Sequence, residues 1–276
     1  MTHVEDHFAG TAGGRIYWQA WLPEGDPVGV VVIAHGLAEH SGRYAHVGER
    51  LASESYAAYA PDHRGHGRSD GNRSNLNRVA EVVADLDAMI AEAAQRHPGV
   101  PVFLLGHSMG GMLALDYALG NPSRLTGLVL SAPAVRSGVI SSVERAAAKV
   151  LSTVAPNFGV KALDGTMVSR DPAVVKAYDE DPLNYRGKIP ARTATEMLNT
   201  MDGLPARIPK LTLPLLVMQG TEDKLVEPEG AAYVAEHAGS EDLTYKPYSG
   251  LYHEVMNEPE KDTVLGDLVR WLKERT

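Results

Sequence analysis

Residues 106–110 read Gly-His-Ser-Met-Gly, a serine framed by two glycines. An apolar run, Val102-Phe103-Leu104-Leu105, leads into it, and an Ala/Leu-rich helical run follows at once. A serine hydroxyl is a poor nucleophile until a base removes its proton. In a G-x-S-x-G turn between a strand and a helix, the small flanking residues let the chain bend sharply. The serine is then exposed at the end of the strand. The helix behind Ser108 directs unpaired backbone N–H groups and a positive dipole end at the reacting centre. The five-residue pattern alone is common. Its strand–turn–helix setting is what sets it apart from a Gly-rich turn carrying an idle serine.

In this setting an acid and then a histidine follow the serine along the chain. Two histidines lie beyond Ser108, His237 and His253. His237 closes the helical stretch GAAYVAEH before Gly239, where a histidine compensates the helix dipole. His253 follows the strand-like run LTYKPYSG, on a loop at a strand's C-terminal end, where a catalytic base belongs. His253 is therefore the expected base. The acid must lie between the two. Asp116 falls inside the helix after Ser108, and Asp164, Asp171, Asp179, Asp181 and Asp202 fall in a stretch without strand signals. Asp242 precedes the last strand. Asp223 follows the apolar run LPLLVMQGTE, just past a strand, with Glu222 as runner-up and an Asx turn as the plain alternative. Asp223 would hold the imidazole tautomer and stabilise its cation. The oxyanion of the tetrahedral intermediate needs two donors. They are expected to be the N–H of Met109, next after the nucleophile, and that of Leu37, after the strand VGVVVIAHG.

The elements that position these groups follow from patterning. Strand-like runs fall near 14–22, 28–34, 56–60, 101–106, 125–131, 213–219 and 243–248, and helical patterns near 44–54, 77–97, 109–120, 229–238 and 260–274. Strands alternating with helices predict an α/β fold: a mainly parallel central sheet with helices on both faces. The runs VVVIA, VFLLG, GLVLS and LLVMQ are continuously apolar, as doubly covered strands are. The alternation breaks between 133 and 209. The expected organisation is a core of residues 1–132 and 210–276, with 133–209 inserted as a helical cap above the strand ends. The cap's apolar residues, such as Leu151 and Phe158, either pack on the core or form an acyl-chain tunnel or a surface that touches lipid.

Composition bounds the rest. A net charge of −9 with no strongly basic run argues against nucleic-acid binding. With no cysteine there is neither a disulfide nor a Cys-based nucleophile or metal site. Eleven histidines include no H-E-x-x-H, so neither metal nor cofactor is expected. The polar start MTHVEDHFAG has no apolar signal core, and no run approaches 18 apolar residues. The expectation is a cytoplasmic protein, with peripheral membrane contact through the cap.

With serine, acid, histidine and cap in place, the chain resembles the monoacylglycerol lipase family of α/β-hydrolases, related to serine aminopeptidase-like and lysophospholipase-like members. The resemblance spans nearly the full length. It rests on AHGLAEHSGRY (34–44), APDHRGHGRSDG (60–71), GHSMGG (106–111), LSAPA (130–134), SRDPAVVKAYDEDPL (169–183), PKLTLPLLVMQGTEDKLV (209–226) and YSGLYHEVMNEPE (248–260). It implies an α/β-hydrolase fold and a serine esterase that cleaves monoacylglycerols to fatty acid and glycerol, without a cofactor. It also implies that Glu39 and Arg43 sit near the glycerol end of the pocket, and Tyr178 near the headgroup. Each has a structural reading beside it: an ion pair bracing the loop, and packing of the cap. One departure stands out. The family loop reads H-G-x-G-E-H, and Ala38 takes the place of the second glycine. A positive φ suits Gly, so Ala38 predicts either a conventional backbone or a shifted loop. The Asp62–Gly67 turn is read as structural, with Asp62 and Arg64 bonding locally.

Other readings use the same triad: a lysophospholipase or broad carboxylesterase, or a serine aminopeptidase with an acidic site for a free amino terminus. A non-catalytic lipid-binding protein on this fold is the alternative from another class.

Overall fold

The structure, a computed structural model, describes residues 1–136 and 142–276. The strands are β1 (Thr2–Ala9), β2 (Arg15–Leu22), β3 (Gly29–Ala34), β4 (Tyr56–Pro61), β5 (Val102–His107), β6 (Gly127–Ser131), β7 (Gly159–Ala162), β8 (Lys188–Pro190), β9 (Leu215–Gly220) and β10 (Leu243–Tyr248). The helices are α1 (Ala45–Ser53), α2 (Val79–Arg96), α3 (Met109–Gly120), α4 (Ser142–Val154), α5 (Pro172–Glu180), α6 (Ala191–Gly203), α7 (Pro228–His237) and α8 (Lys261–Lys273).

Eight strands form one sheet in the order β1-β2-β4-β3-β5-β6-β9-β10. Pairing is parallel from β4 to β10 and antiparallel at β1–β2 and β2–β4. Every residue of β3, β5, β6 and β9 is buried, because helices cover both faces. Side-chain alternation sends Val30 and Val32 of β3 into one core, which takes in α2, α3 and α7. Val31 and Ile33 enter the other, against α1 and α8. Parallel pairing brings the C-terminal ends of β3, β5, β9 and β10 to one edge, and the chain's chemistry collects there. The expected α/β-hydrolase architecture is the observed one.

Two elements differ from the sequence reading. A strand, β1, lies over residues 2–9, paired along its length with β2. It is an edge strand whose apolar residues Val4 and Phe8 are only half-buried, so its sequence THVEDHFA has no apolar face to read. The 133–209 stretch is not wholly helical: β7 and β8 pair as a short antiparallel ribbon. Four and three residues, far apart in sequence, leave no alternation to detect.

The stretch between β6 and β9 is tied to the core at several points. Helix α4 packs on α6, which also touches α2 and α3. The Tyr185 N–H donates to the Ala38 carbonyl at 2.9 Å, and the Glu254 N–H to the Val168 carbonyl at 2.9 Å. His40 Nε2 lies 2.8 Å from Asp181 Oδ2. The Asp62 carboxylate accepts the N–H groups of Ser41 and Arg68, both at 2.7 Å. The Arg64 carbonyl bonds locally, 3.0 Å from His66 Nδ1, while its guanidinium leaves the turn and reaches the Gly13 carbonyl at 2.7 Å, since the β1–β2 turn lies beside it.

Ala38 has φ 66°, so the conventional backbone that an alanine predicts is absent. The left-handed conformation, about 1–2 kcal/mol unfavourable for a residue with a Cβ, is held by the bond to Tyr185. Ala38→Gly should therefore raise unfolding stability by about 0.5–1 kcal/mol, the strain relieved less the entropy of glycine. Urea denaturation measures this; a lower stability would mean that the buried Ala38 methyl contributes more than the strain takes away.

Candidate active site

The nucleophile position is built by close packing. Ser108 follows the last residue of β5, at φ 55° and ψ −118°, and α3 begins at the next residue. This turn requires glycine on both sides. A Cβ at 106 would lie 2.3 Å from the Gly110 carbonyl oxygen, and one at 110 would lie 2.0 Å from the Ala34 carbonyl oxygen. Helix α3 thus starts pressed against the end of β3. The Ser108 N–H donates to Ser131 at 2.9 Å, and the Ser108 carbonyl accepts the Ala134 N–H at 3.0 Å, which pins the turn to β6. Met109 sends its side chain into the core. Its N–H is the first of α3 and has no intrahelical partner.

Asp223 lies just after β9 and His253 just after β10. His253 Nδ1 is 2.7 Å from Asp223 Oδ2. The same oxygen accepts the Gln219 amide at 3.0 Å, while Oδ1 accepts the Leu225 and Val226 N–H groups at 2.9 and 3.0 Å. Burial alone would raise the Asp223 pKa. The bond and charge of His253, with the two backbone N–H groups, outweigh it and hold the carboxyl below its usual range. Hydrogen-bonded to this carboxylate, Nδ1 carries the proton and leaves Nε2 as the basic nitrogen. The ring of His107 sits 4.7 Å from that of His253. Burial pushes His107 down to about 3, so it remains neutral.

Ser108 and His253 open into one cavity of about 520 Å³. Its wall is mostly apolar, with Ile189, Met197, Leu198 and Met201 among the residues that line it. Beside the serine the wall carries Leu37, Glu39, Tyr178 and Glu254. The loop after β3 reaches the serine closely: a Cβ at Gly36 would stand 3.3 Å from the Ser108 Cβ.

Beneath that polar end lies a buried ionic network. Arg43 grips Glu254 through both terminal nitrogens, at 2.6 and 2.7 Å, and Glu39 through one, at 2.7 Å. Glu39 also accepts the Tyr44 hydroxyl at 2.8 Å and the Gly36 N–H at 2.6 Å. The guanidinium lies 4.8 Å from the centre of the Tyr178 ring, a cation–π contact. Burial opposes the charge on both partners, yet Arg43 holds Glu254 down at about 2, and the two glutamates raise Arg43.

Residues 25–260 match the family described as serine aminopeptidase, S33. The monoacylglycerol lipase of Mycolicibacterium smegmatis is 45% identical over 272 residues, 98% of this chain and 97% of the relative. Human monoglyceride lipase is 35% identical over 274 residues, 98% of this chain and 90% of the relative. The crystal structure of Paleococcus ferrophilus monoacylglycerol lipase superposes with a TM-score of 0.83 at 31% identity, covering 100% of both chains. The chain belongs to the monoacylglycerol lipase family of α/β-hydrolases.

In this member of the family, Ser108, His253, Leu37, Glu39 and Tyr178 meet at one cavity, with Asp223 behind His253. Arg43 does not form part of the wall. Its donors are engaged by Glu39 and Glu254, so it holds the wall rather than facing a ligand. Sequence reasoning did not single out Gln219 or Glu254. Gln219 had a signal, an amide at the end of an otherwise apolar strand, LLVMQ. Glu254 had none, since its partner Arg43 lies 211 positions away.

Glu254 gives a pH prediction. Its folded pKa is depressed, so its contribution to stability is present above the unfolded carboxyl value of 4.5. That contribution is lost as pH falls through about 2. Glu254→Gln should be less stable than the parent at neutral pH, by about 3–5 kcal/mol if the buried charge of Arg43 is left short of a partner. The two proteins should converge in stability between pH 4.5 and about 2. Denaturation curves over that range measure the gap; a gap independent of pH would show that Glu254 is not held by charge.

Proposed function

We propose that this protein hydrolyses monoacylglycerols to a free fatty acid and glycerol, and that Ser108, His253 and Asp223 perform the chemistry. The observation that carries this is the cavity itself. A mostly apolar space of about 520 Å³ fits one acyl chain, and Glu39 and Tyr178 in the same wall as Ser108 fit a short alcohol. In this reading His253 Nε2 takes the Ser108 proton as Oγ attacks the ester carbonyl. The oxyanion accepts the N–H groups of Leu37 and Met109. The intermediate collapses, the C–O bond to glycerol breaks, and His253 returns the proton to the leaving alcohol. Water, deprotonated by the same imidazole, then attacks the acyl-enzyme, and the fatty acid leaves with Ser108 restored. Glu39 and Tyr178 contact the glycerol, and Arg43 acts by fixing both.

Residues 133–209 serve as the cap. Val154 is 73% exposed, Val150 62% and Phe158 58%, on α4 and the chain leading into β7. Such a cluster supports peripheral contact with a lipid surface, from which a single-chain ester enters the cavity. Among the described residues no helix is long and apolar enough to cross a membrane. One observation favours a second reading. Arg136 and Lys161 also line the cavity, and cations there suit an anionic headgroup, so a lysophospholipid belongs in the substrate panel.

Fatty-acid release from a monoacylglycerol should fall by about 10³-fold or more in Ser108→Ala, with the fold intact. Di- and triacylglycerols, a lysophospholipid and an aminoacyl arylamide should be cleaved far more slowly than the monoacylglycerol; preference for the lysophospholipid would favour the second reading. Phe158→Ser combined with Val154→Asn should reduce vesicle binding and hydrolysis of vesicle-borne substrate, while leaving a soluble short-chain ester unaffected. Unchanged vesicle binding would make the exposed cluster scaffolding only.

A further inference from the structure

A planar trans peptide points its C=O and its N–H in opposite directions. The N–H of Leu37 therefore takes its direction from whatever holds the carbonyl of Gly36. In the structure that carbonyl lies 2.7 Å from Nδ1 of His35. The tautomer of His35 is fixed from the other side of the ring, because Nε2 accepts the His63 N–H at 2.9 Å. With Nε2 an acceptor, the neutral ring carries its proton on Nδ1 and donates it to Gly36. The groups facing this ring are those of His63 and His66, with centroids at 4.1 and 5.4 Å, and His35 is fully buried among them. Burial drives all three to low values, about 3 for His63, about 4 for His66 and well below the usual range for His35, so none of them charges in the working range. The N–H of the preceding peptide, that of Gly36, is bound by Glu39. The loop is held at two successive peptide units beside Ser108, whose Cβ would lie 3.3 Å from a Cβ on Gly36.

We infer that His35 is a positioning residue for the oxyanion site: its Nδ1–H sets the peptide whose other end stabilises the transition state. This rests on the reading of Leu37 as an oxyanion donor. A donor of this kind is worth most in the transition state, so its misalignment lowers kcat and leaves KM alone.

Two substitutions separate the ring's two nitrogens. In His35→Asn the amide NH₂ occupies the place of Nδ1 and keeps the bond to Gly36. In His35→Gln the longer side chain reaches toward His63 and leaves Gly36 unbound. Both shed similar packing. The full-length protein is assayed on a monoacylglycerol, with urea denaturation of each variant. Expected is a fall in kcat of about 10- to 100-fold for His35→Gln, with KM within about twofold and His35→Asn within about threefold of the parent. Equal kcat values in the two variants, or a change in KM alone, would overturn the role of His35. Failure of the parent itself to release fatty acid would instead overturn the reading of its function. ¹⁵N NMR of the His35 ring in the unsubstituted protein needs no variant to fold: protonation on Nδ1 is required, and protonation on Nε2 would overturn the inference.

Discussion

Ser108 cannot relax, and the site is arranged around that fact. At φ 55° its backbone is in a region that costs a non-glycine residue about 1–3 kcal/mol. Strain of that size persists only where the surroundings over-determine it. Here β5 fixes one side, α3 the other, and the bonds to Ser131 and Ala134 fix the third. Because Gly110 lies against the end of β3, the same packing that strains the serine also draws the loop of Gly36 and Leu37 beside it. The proposed nucleophile and oxyanion donors are thus one packing problem. A helix displaced by an extra methyl group at 110 would disturb both at once.

The second constraint is buried charge. Glu39 belongs to the loop after β3, and Glu254 to the loop after β10. One guanidinium joins them, and through them the oxyanion loop and the loop of His253. A buried pair of this kind is weak evidence for stability, because desolvation opposes it. Its value here is geometric. Two loops that share no backbone hydrogen bonding along a strand are set at a fixed distance, with Tyr178 closing the face of the guanidinium. Asp223 is satisfied in the same complete way, with four donors on its two oxygens, so the imidazole has one orientation available.

What the sequence made legible follows period and order. The strands β3, β5, β6 and β9 are apolar runs with glycine or proline close to their ends, and buried parallel strands leave that mark whatever their neighbours. The serine, acid and histidine were legible because each sits at a strand end, a position that can be read locally. Interactions across long separations were not. Glu254 meets Arg43 and Gln219 meets Asp223 only after the sheet forms, and nothing in residues 250–260 alone marks Glu254 as buried. β1 lacked a signal because one half-exposed edge strand needs no apolar face. Ala38 was legible as an anomaly, but its conformation depends on Tyr185, which lies 147 positions further along the chain than residue 38.

That last contact changes how the segment above the site is understood. Its parts are not equally attached. Val168 holds the backbone of Glu254, Tyr185 holds that of Ala38, and Asp181 meets His40, so the stretch from 168 to 185 braces the loops after β3 and β10. Moving it would break these bonds and take Tyr178 off the face of the Arg43 guanidinium. Helix α4 and ribbon strand β7 are different: they carry the exposed Val150, Val154 and Val160 and pack on α6. Local opening follows the path that breaks the fewest buried contacts. By that measure α4 and β7 are the more weakly attached part of the segment, and the stretch that braces the loops of Glu39 and His253 is the more firmly held.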